Sequence, residues 1–226
     1  MAKPKERLIE SNIKDSGLVK QRREKIIRAA GKVFIEKGYH SATIRDICRA
    51  SGLGPGTLYN YIRKKEDILY LIYSKLTTMI RECLIEAVQD NDPKNPHDQL
   101  KKALGRMFDV IWDNQDLTSL MYRETASLDR ESMHNILKRE SDFVALFQKI
   151  LSRKDRAGVL TRRIELDADI ITFLFGFIPL RRWNLKNRFN EGEIKAGLLD
   201  FVLRALGGHD VKMKRMKRRG IDAALI

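Results

Sequence analysis

Thr43-Ile-Arg-Asp-Ile-Cys-Arg-Ala-Ser-Gly-Leu-Gly-Pro-Gly-Thr-Leu-Tyr-Asn-Tyr-Ile62 decides the reading of this chain. Thr43 and Asp46 form a capping-box-like start: the threonine hydroxyl accepts from first-turn amides, and the acid suits the positive end of the dipole. Ile44, Ile47 and Cys48 then make a short apolar stripe, and Gly52 ends the helix after about two turns. Pro55 fits the first position of a second helix, where its missing N–H costs nothing. Two short helices around a glycine turn, Thr43–Ser51 and Pro55–Ile62, have the length and spacing of a helix-turn-helix.

Helical geometry assigns faces to the second helix. Leu58 and Ile62 point inward, so Gly56, Asn60 and Arg63 lie opposite, flanked by Thr57, Tyr59 and Tyr61. An outward face of glycine, hydroxyls and an amide suits the major groove, where such groups approach base edges and thymine methyls. Tyr59 and Tyr61 can donate to phosphates at the groove margins, and Lys65 adds a point charge nearby. The plain alternative is an ordinary helical corner with surface tyrosines.

Charge supports the first reading. The chain of 226 residues carries a net +14. Residues 18–65 hold 12 Lys and Arg against 3 Asp and Glu, a net +9, and residues 66–209 balance at 22 against 22. Residues 210–226 add 6 against 2, and residues 1–17 add 4 against 3. Concentrated charge of this kind marks a phosphate-contacting segment, because each neutralised phosphate releases condensed counterions.

Working outward, residues 1–17 lack periodicity and read as a flexible arm. Ile26, Ala29, Ala30, Val33 and Phe34 recur at helical spacing up to Gly38, which supplies the left-handed end position. A fourth helix starts near Lys65 and runs to about Ala87, and Asn91–Pro96 is a linker by composition. Apolar helical patterns follow around 97–114, 116–127, 131–153, 167–188 and 191–206, with Pro179 expected to kink the fourth of these. No alternating run suggests a sheet. The expected fold is all-α with about nine helices: a three-helix helix-turn-helix domain at 18–66, a larger helical domain at 67–208, and a basic tail at 209–226.

Other chemistries find no support. Fourteen glycines, five prolines, 43% hydrophobic and 33% charged residues describe an ordinary globular chain. The start Met1-Ala-Lys-Pro-Lys-Glu-Arg has no apolar h-region, no stretch is long enough for a membrane span, and the two cysteines fit a reducing cytoplasm. Gly52-x-Gly54-x-Gly56 follows a helix rather than a strand, so it is no phosphate loop. Glu131-x-x-His134 occurs once where a di-iron site needs two copies. Neither a catalytic arrangement, nor a metal, nor a cofactor is expected. The rivals to a regulator are an effector-independent architectural DNA-binding protein and a helical metalloenzyme.

Ile26–Gly38, Ala42–Ile47, Gly52–Ile62 and Lys64–Leu69 together closely resemble the N-terminal domain of the TetR family of regulators, over about residues 20–75. The resemblance implies a cytoplasmic homodimer that represses transcription on a palindromic double-stranded operator and is released by a small effector. It assigns Thr43 and Arg45 to phosphates, Gly56, Thr57 and Tyr59 to the groove, and Tyr61 and Lys65 to the backbone. Asn60 stands where the family often has an aromatic residue. The arm and the tail lie outside the family pattern. The tail reads first as a disordered solubilising end, with a nonspecific DNA contact and a surface for an acidic partner as the alternatives.

The resemblance extends to the C-terminal part only as helical layout. It implies that the last two long helices pair between protomers, with Phe173, Phe177, Leu198, Phe201 and Val202 as dimer candidates or, equally, intramolecular core. Leu120–Ser127 and Arg181–Leu185 are similar to the branch that senses fatty-acyl-CoA thioesters, so the effector is read as small and hydrophobic, with acyl-CoA as one candidate. Its cavity would lie among the fifth to eighth helices. Candidate walls are Phe108, Trp112, Tyr122, Phe143, Phe147, Phe173 and Phe177, with Arg123 for a polar or anionic group. Aromatics at this spacing also simply fill cores.

Overall fold

Local capping chemistry sets out the helices. The computed structural model describes residues 9, 11–89, 96–154 and 161–218. Asp15 caps α1 (Ser16–Lys37) by accepting from the amides of Gly17 and Leu18 at 2.9 and 3.0 Å. Gly38 ends it at φ +80°, a conformation that costs glycine little, with its N–H on Phe34 O at 3.0 Å. The capping box that opens α2 (Ile44–Ser51) is complete: Asp46 N donates to Thr43 Oγ1 at 3.2 Å, and Thr43 N donates to Asp46 Oδ2 at 3.0 Å. Lys37 adds an ion pair to Asp46 at 2.6 Å, and these contacts hold the Asp46 carboxyl far below the usual carboxylate range. Gly52, left-handed at φ +63°, ends α2, and Pro55 opens α3 (Pro55–Tyr59).

Six further helices and a single 3₁₀ turn complete the described chain. They are α4 (Lys65–Gln89), α5 (Pro96–Asp113), α6 (Gln115–Glu124), the turn Thr125–Ser127, α7 (Arg130–Lys154), α8 (Thr161–Leu185) and α9 (Glu191–Arg218). No strand occurs among the described residues. No described helix is long and apolar enough to cross a membrane. The Asp67 carboxylate, 2% exposed, accepts from the amides of Arg63 and Lys64 and so secures the start of α4.

Two apolar cores result, and α4 contributes to both. The first gathers Phe34, Ile47, Leu58 and Ile68 from the first four helices with Ile62 from the turn after α3, and also Leu120 and Ile136 from α6 and α7 with Leu128 from the link between them. The second is built on Leu84, Phe108, Phe147, Phe175 and Val202. The helix-turn-helix module therefore shares its core with the body that follows it. Packing of this kind couples the position of α1 to that of α6. A methyl group on Gly31 of α1 would come within 2.9 Å of Leu117 Cδ2.

Three expectations are corrected here. The arm is not loose as far as it is described: Ile9 is buried in the first core, and Asn12 N and Ser11 Oγ both donate to Asn60 O, at 3.1 and 2.9 Å. Arg23 ties the same strap down by donating to Ile9 O and, at 3.1 Å, to Tyr61 O. The second helix of the motif stops at Tyr59 instead of running to Ile62. At the other end, α9 continues to Arg218 through what was read as the start of the tail, while residues 219–226 and the side chains of 207–218 lie outside the described residues. Pro179 sits inside α8, where its ring leaves Phe175 O without the usual helical donor.

Candidate nucleic-acid interface and effector cavity

The surface formed by α2 and α3 sorts the predicted contact residues by exposure. Gly56, Thr57 and Tyr59 are exposed on α3 while Leu58 between them is fully buried, so the helix is anchored by one side and presents the other. Asn60 is half-buried and its carbonyl is held by the strap. Thr43 and Arg45 are exposed at the start of α2. Arg45 makes no ion pair among the described residues.

Two residues stand differently from the sequence expectation. Tyr61 is 4% exposed and belongs to the first core. The cause is the tightened end of α3: Asn60 N and Tyr61 N bond back three residues, to Thr57 O at 3.2 Å and Leu58 O at 3.0 Å. That turn breaks the 3.6-residue phase on which the outward placement depended, and rotates the ring inward. Lys65 donates its ammonium group to three carbonyls, Tyr39, Ala42 and His40, at 2.8, 3.0 and 3.2 Å, and lies 4.5 Å from the Tyr39 ring centre. It fastens the loop between α1 and α2 from beneath.

The burial of Tyr61 gives a direct prediction. Tyr61→Ala is expected to cost roughly 3–5 kcal/mol, as for other large aromatic deletions in cores. Tyr61→Phe is expected to keep the melting temperature within a few degrees. Thermal melts followed by circular dichroism check both.

A cavity of about 610 Å³ lies among α4, α5, α6, α7 and α8. Of the predicted walls, Tyr122 and Phe173 line it. Phe108 and Phe147 are fully buried in the second core, with Phe108 stacked on Trp112 at 5.5 Å between centroids, so these fill space rather than face the cavity. Phe177 and Arg123 are exposed and do not line it, and the side chain of Phe143 lies outside the described residues. The lining missed from sequence is polar: Tyr73, Thr125 and Glu140 among others. Burial pushes the Tyr73 phenol up to about 12 and lifts the Glu140 carboxyl above its ordinary value. Burial also raises the Tyr122 phenol, with the Glu140 charge adding to it. Tyr122 approaches α8 closely because position 176 is glycine: a methyl group there would lie 2.9 Å from Tyr122 Cζ.

One end of this cavity lies next to the helix-turn-helix module. Tyr73 donates to Met121 O and sits 2.8 Å from Thr125 Oγ1, on the 3₁₀ turn. From that turn, Ser127 Oγ lies 3.4 Å from His40 Nε2, and Glu124 Oε2 lies 3.2 Å from the same nitrogen. Lys64, just before α4, pairs with Asp129 at 2.9 Å. His40 and Lys64 flank the motif in sequence, so the turn bridges cavity and motif.

Comparison with known proteins agrees with this division. Residues 26–70 match the bacterial regulatory proteins of the tetR family, and residues 93–184 match the tetracyclin repressor-like C-terminal domain. The transcriptional regulator HbdR of Aromatoleum sp. (strain CIB) is 29% identical over 198 residues, covering 86% of this chain and 85% of that one. A tetR-family regulatory protein from Rhodococcus RHA1 superposes with a TM-score of 0.70 at 24% identity, over 82% of this chain and 97% of its own. FadR of Bacillus subtilis, solved in complex with stearoyl-CoA, superposes at 0.64 and 20% identity, over 80% and 97%.

Proposed function

The chain belongs to the tetR family of bacterial regulatory proteins, and from that premise we propose that it is a repressor, binding a palindromic operator as a homodimer and released by a small hydrophobic effector. The observation that carries the reading is the exposed face of Gly56, Thr57 and Tyr59 on a helix anchored by buried Leu58, inside a segment of net charge +9. In this reading residues 18–66 form the DNA-binding domain and 67–208 the effector and dimer domain. Thr43 and Arg45 contact phosphates, with Gly56, Thr57, Tyr59 and Asn60 toward the bases. Tyr61 and Lys65 support the surface from within.

The proposed effector is a fatty-acyl thioester whose acyl group enters the cavity. What supports that class is the stearoyl-CoA carried by the B. subtilis FadR structure and the size of the cavity here, which falls in the range of small-molecule sites. The proposed release works through the bridge described above. A ligand pressing on Tyr73, Met121 and Tyr122 moves the 3₁₀ turn, and His40 and Lys64 carry that shift to the motif. Binding and release are then reciprocal, operator weakening effector by the factor that effector weakens operator.

The test is footprinting on the chain's own promoter region with and without acyl-CoA. Protection of a palindrome, lost on adding thioester, is the expected result. Arg45→Ala is expected to weaken binding by roughly 1–3 kcal/mol while the protein melts as the wild type does. Binding that follows salt alone, without sequence preference, would instead indicate an architectural DNA-binding protein.

A further inference from the structure

The hydrogen-bonding capacity of the cavity is one-sided. Hydroxyl after hydroxyl in its wall has already given its proton to a main-chain carbonyl. Thr77 donates to Tyr73 O at 3.0 Å, Thr118 to Asn114 O at 2.9 Å, and Ser141 to Leu137 O at 3.0 Å. Thr125 donates to Met121 O at 2.8 Å, Thr172 to Ala168 O at 2.7 Å, and the Tyr73 phenol also donates to Met121 O. What these groups still offer to the interior is lone pairs.

Carboxylates extend the pattern. Glu140, its carboxyl raised by burial, lines the cavity, and Glu165 and Asp169 line its solvent-exposed side; none of the three has an ion pair or hydrogen bond among the described residues. Among the described residues, no lysine, arginine or histidine belongs to the lining. A bound carboxylate would therefore face mostly like charges and acceptors, with the Tyr122 phenol and the Gln148 side-chain amide as the answering donors. A molecule that brings its own O–H or N–H meets acceptors on several sides, over a wall otherwise formed by Leu76, Ile80, Val144 and Phe173.

We infer that this cavity selects an apolar molecule that is not anionic and that carries a hydrogen-bond donor, received by Glu140, and that it rejects free carboxylic acids. The inference rests on the effector reading above and sharpens it. An acyl thioester enters with an uncharged acyl group, and one bearing a hydroxyl or amino group satisfies the wall best. The corresponding free fatty acid is excluded, so the protein reports the activated form and not the acid. Phosphates of a thioester's carrier stay outside the cavity, since no cationic side chain among the described lining residues neutralises them.

The experiment uses the full-length protein and three probes with one apolar body: 4-phenylbutan-1-ol, 4-phenylbutan-1-amine and 4-phenylbutanoate. Calorimetric titration is expected to show alcohol and amine binding at least tenfold tighter than the acid at neutral pH. Glu140→Gln is expected to reduce the advantage of the amine over the acid by tenfold or more while changing the affinity for the alcohol less than threefold. Equal affinity of the wild type for all three overturns the inference yet leaves the effector cavity standing. Binding of none of the three overturns the inference, and the effector reading falls with it only where acyl-CoA also leaves the operator footprint unchanged. The wild-type order decides even where Glu140→Gln fails to fold.

Discussion

Gly56→Leu is expected to lower operator affinity at least 100-fold and leave the melting temperature unchanged or slightly raised. A side chain at position 56 meets no protein atom: a Cβ built there has nothing within 4 Å. Its backbone is ordinary helix, since the described glycines with positive φ are Gly38 and Gly52 alone. Leucine is also the better helix former, by up to about 1 kcal/mol. Nothing in the folded protomer resists the change. The surface that receives it is the exposed side of α3, opposite Leu58, where four added carbons would hold the helix off the base edges. A 100-fold loss corresponds to about 2.7 kcal/mol. Fluorescence anisotropy on the operator, read beside a thermal melt, separates this from misfolding. Wild-type affinity in Gly56→Leu would mean that another face of the module enters the groove.

That prediction was accessible because the relevant signals are local. Thr43 with Asp46, Gly52 and Pro55 each act on amides within one turn, so their roles can be read from spacing alone, and the structure forms each cap as expected. Tyr61 shows the limit. Periodicity carries a face forward only while the helix keeps its phase, and α3 tightens after Tyr59. Lys65 shows another: a lysine at a helix start reads as a free charge until the loop carbonyls of Tyr39, His40 and Ala42 are seen to surround it.

The cavity was legible in place but not in lining. Aromatic residues at helical spacing tell which side of a helix turns inward, and Phe108 and Phe147 do turn inward. Spacing cannot tell whether the interior they face is filled. Here it is filled around those two and open beside Tyr73, Thr125 and Glu140, which carry too little apolar signal to be singled out. The void depends on how five helices meet, a property of pairs of helices and of no single stretch of chain.

The second large effect concerns the outer faces of α8 and α9. Phe177, Trp183 and Phe201 are 42%, 65% and 59% exposed, and Ile170 and Leu180 continue the apolar surface along α8. Val202 is buried, Leu198 half-buried, and exposed Phe173 borders the cavity, so of the dimer candidates it is Phe177 and Phe201 that face outward clear of it. A monomer rarely leaves this many large apolar side chains uncovered, whereas a second copy related by a twofold axis would cover them with the same surface. Phe177→Glu combined with Phe201→Glu is therefore expected to give a folded monomer. Both side chains already stand in solvent in the protomer, and neither lines the cavity, so core and effector affinity are spared. Operator binding is expected to fall by about 10²–10⁴, because the second half-site contact is no longer made at the high effective concentration of a tethered partner. Sedimentation velocity gives the mass, and anisotropy on whole and half operators gives the affinities. The double variant should bind both DNAs alike, whereas the wild type should prefer the whole operator. A variant that still sediments as a dimer would place the interface on another surface, and the half-site argument would have to be rebuilt from there.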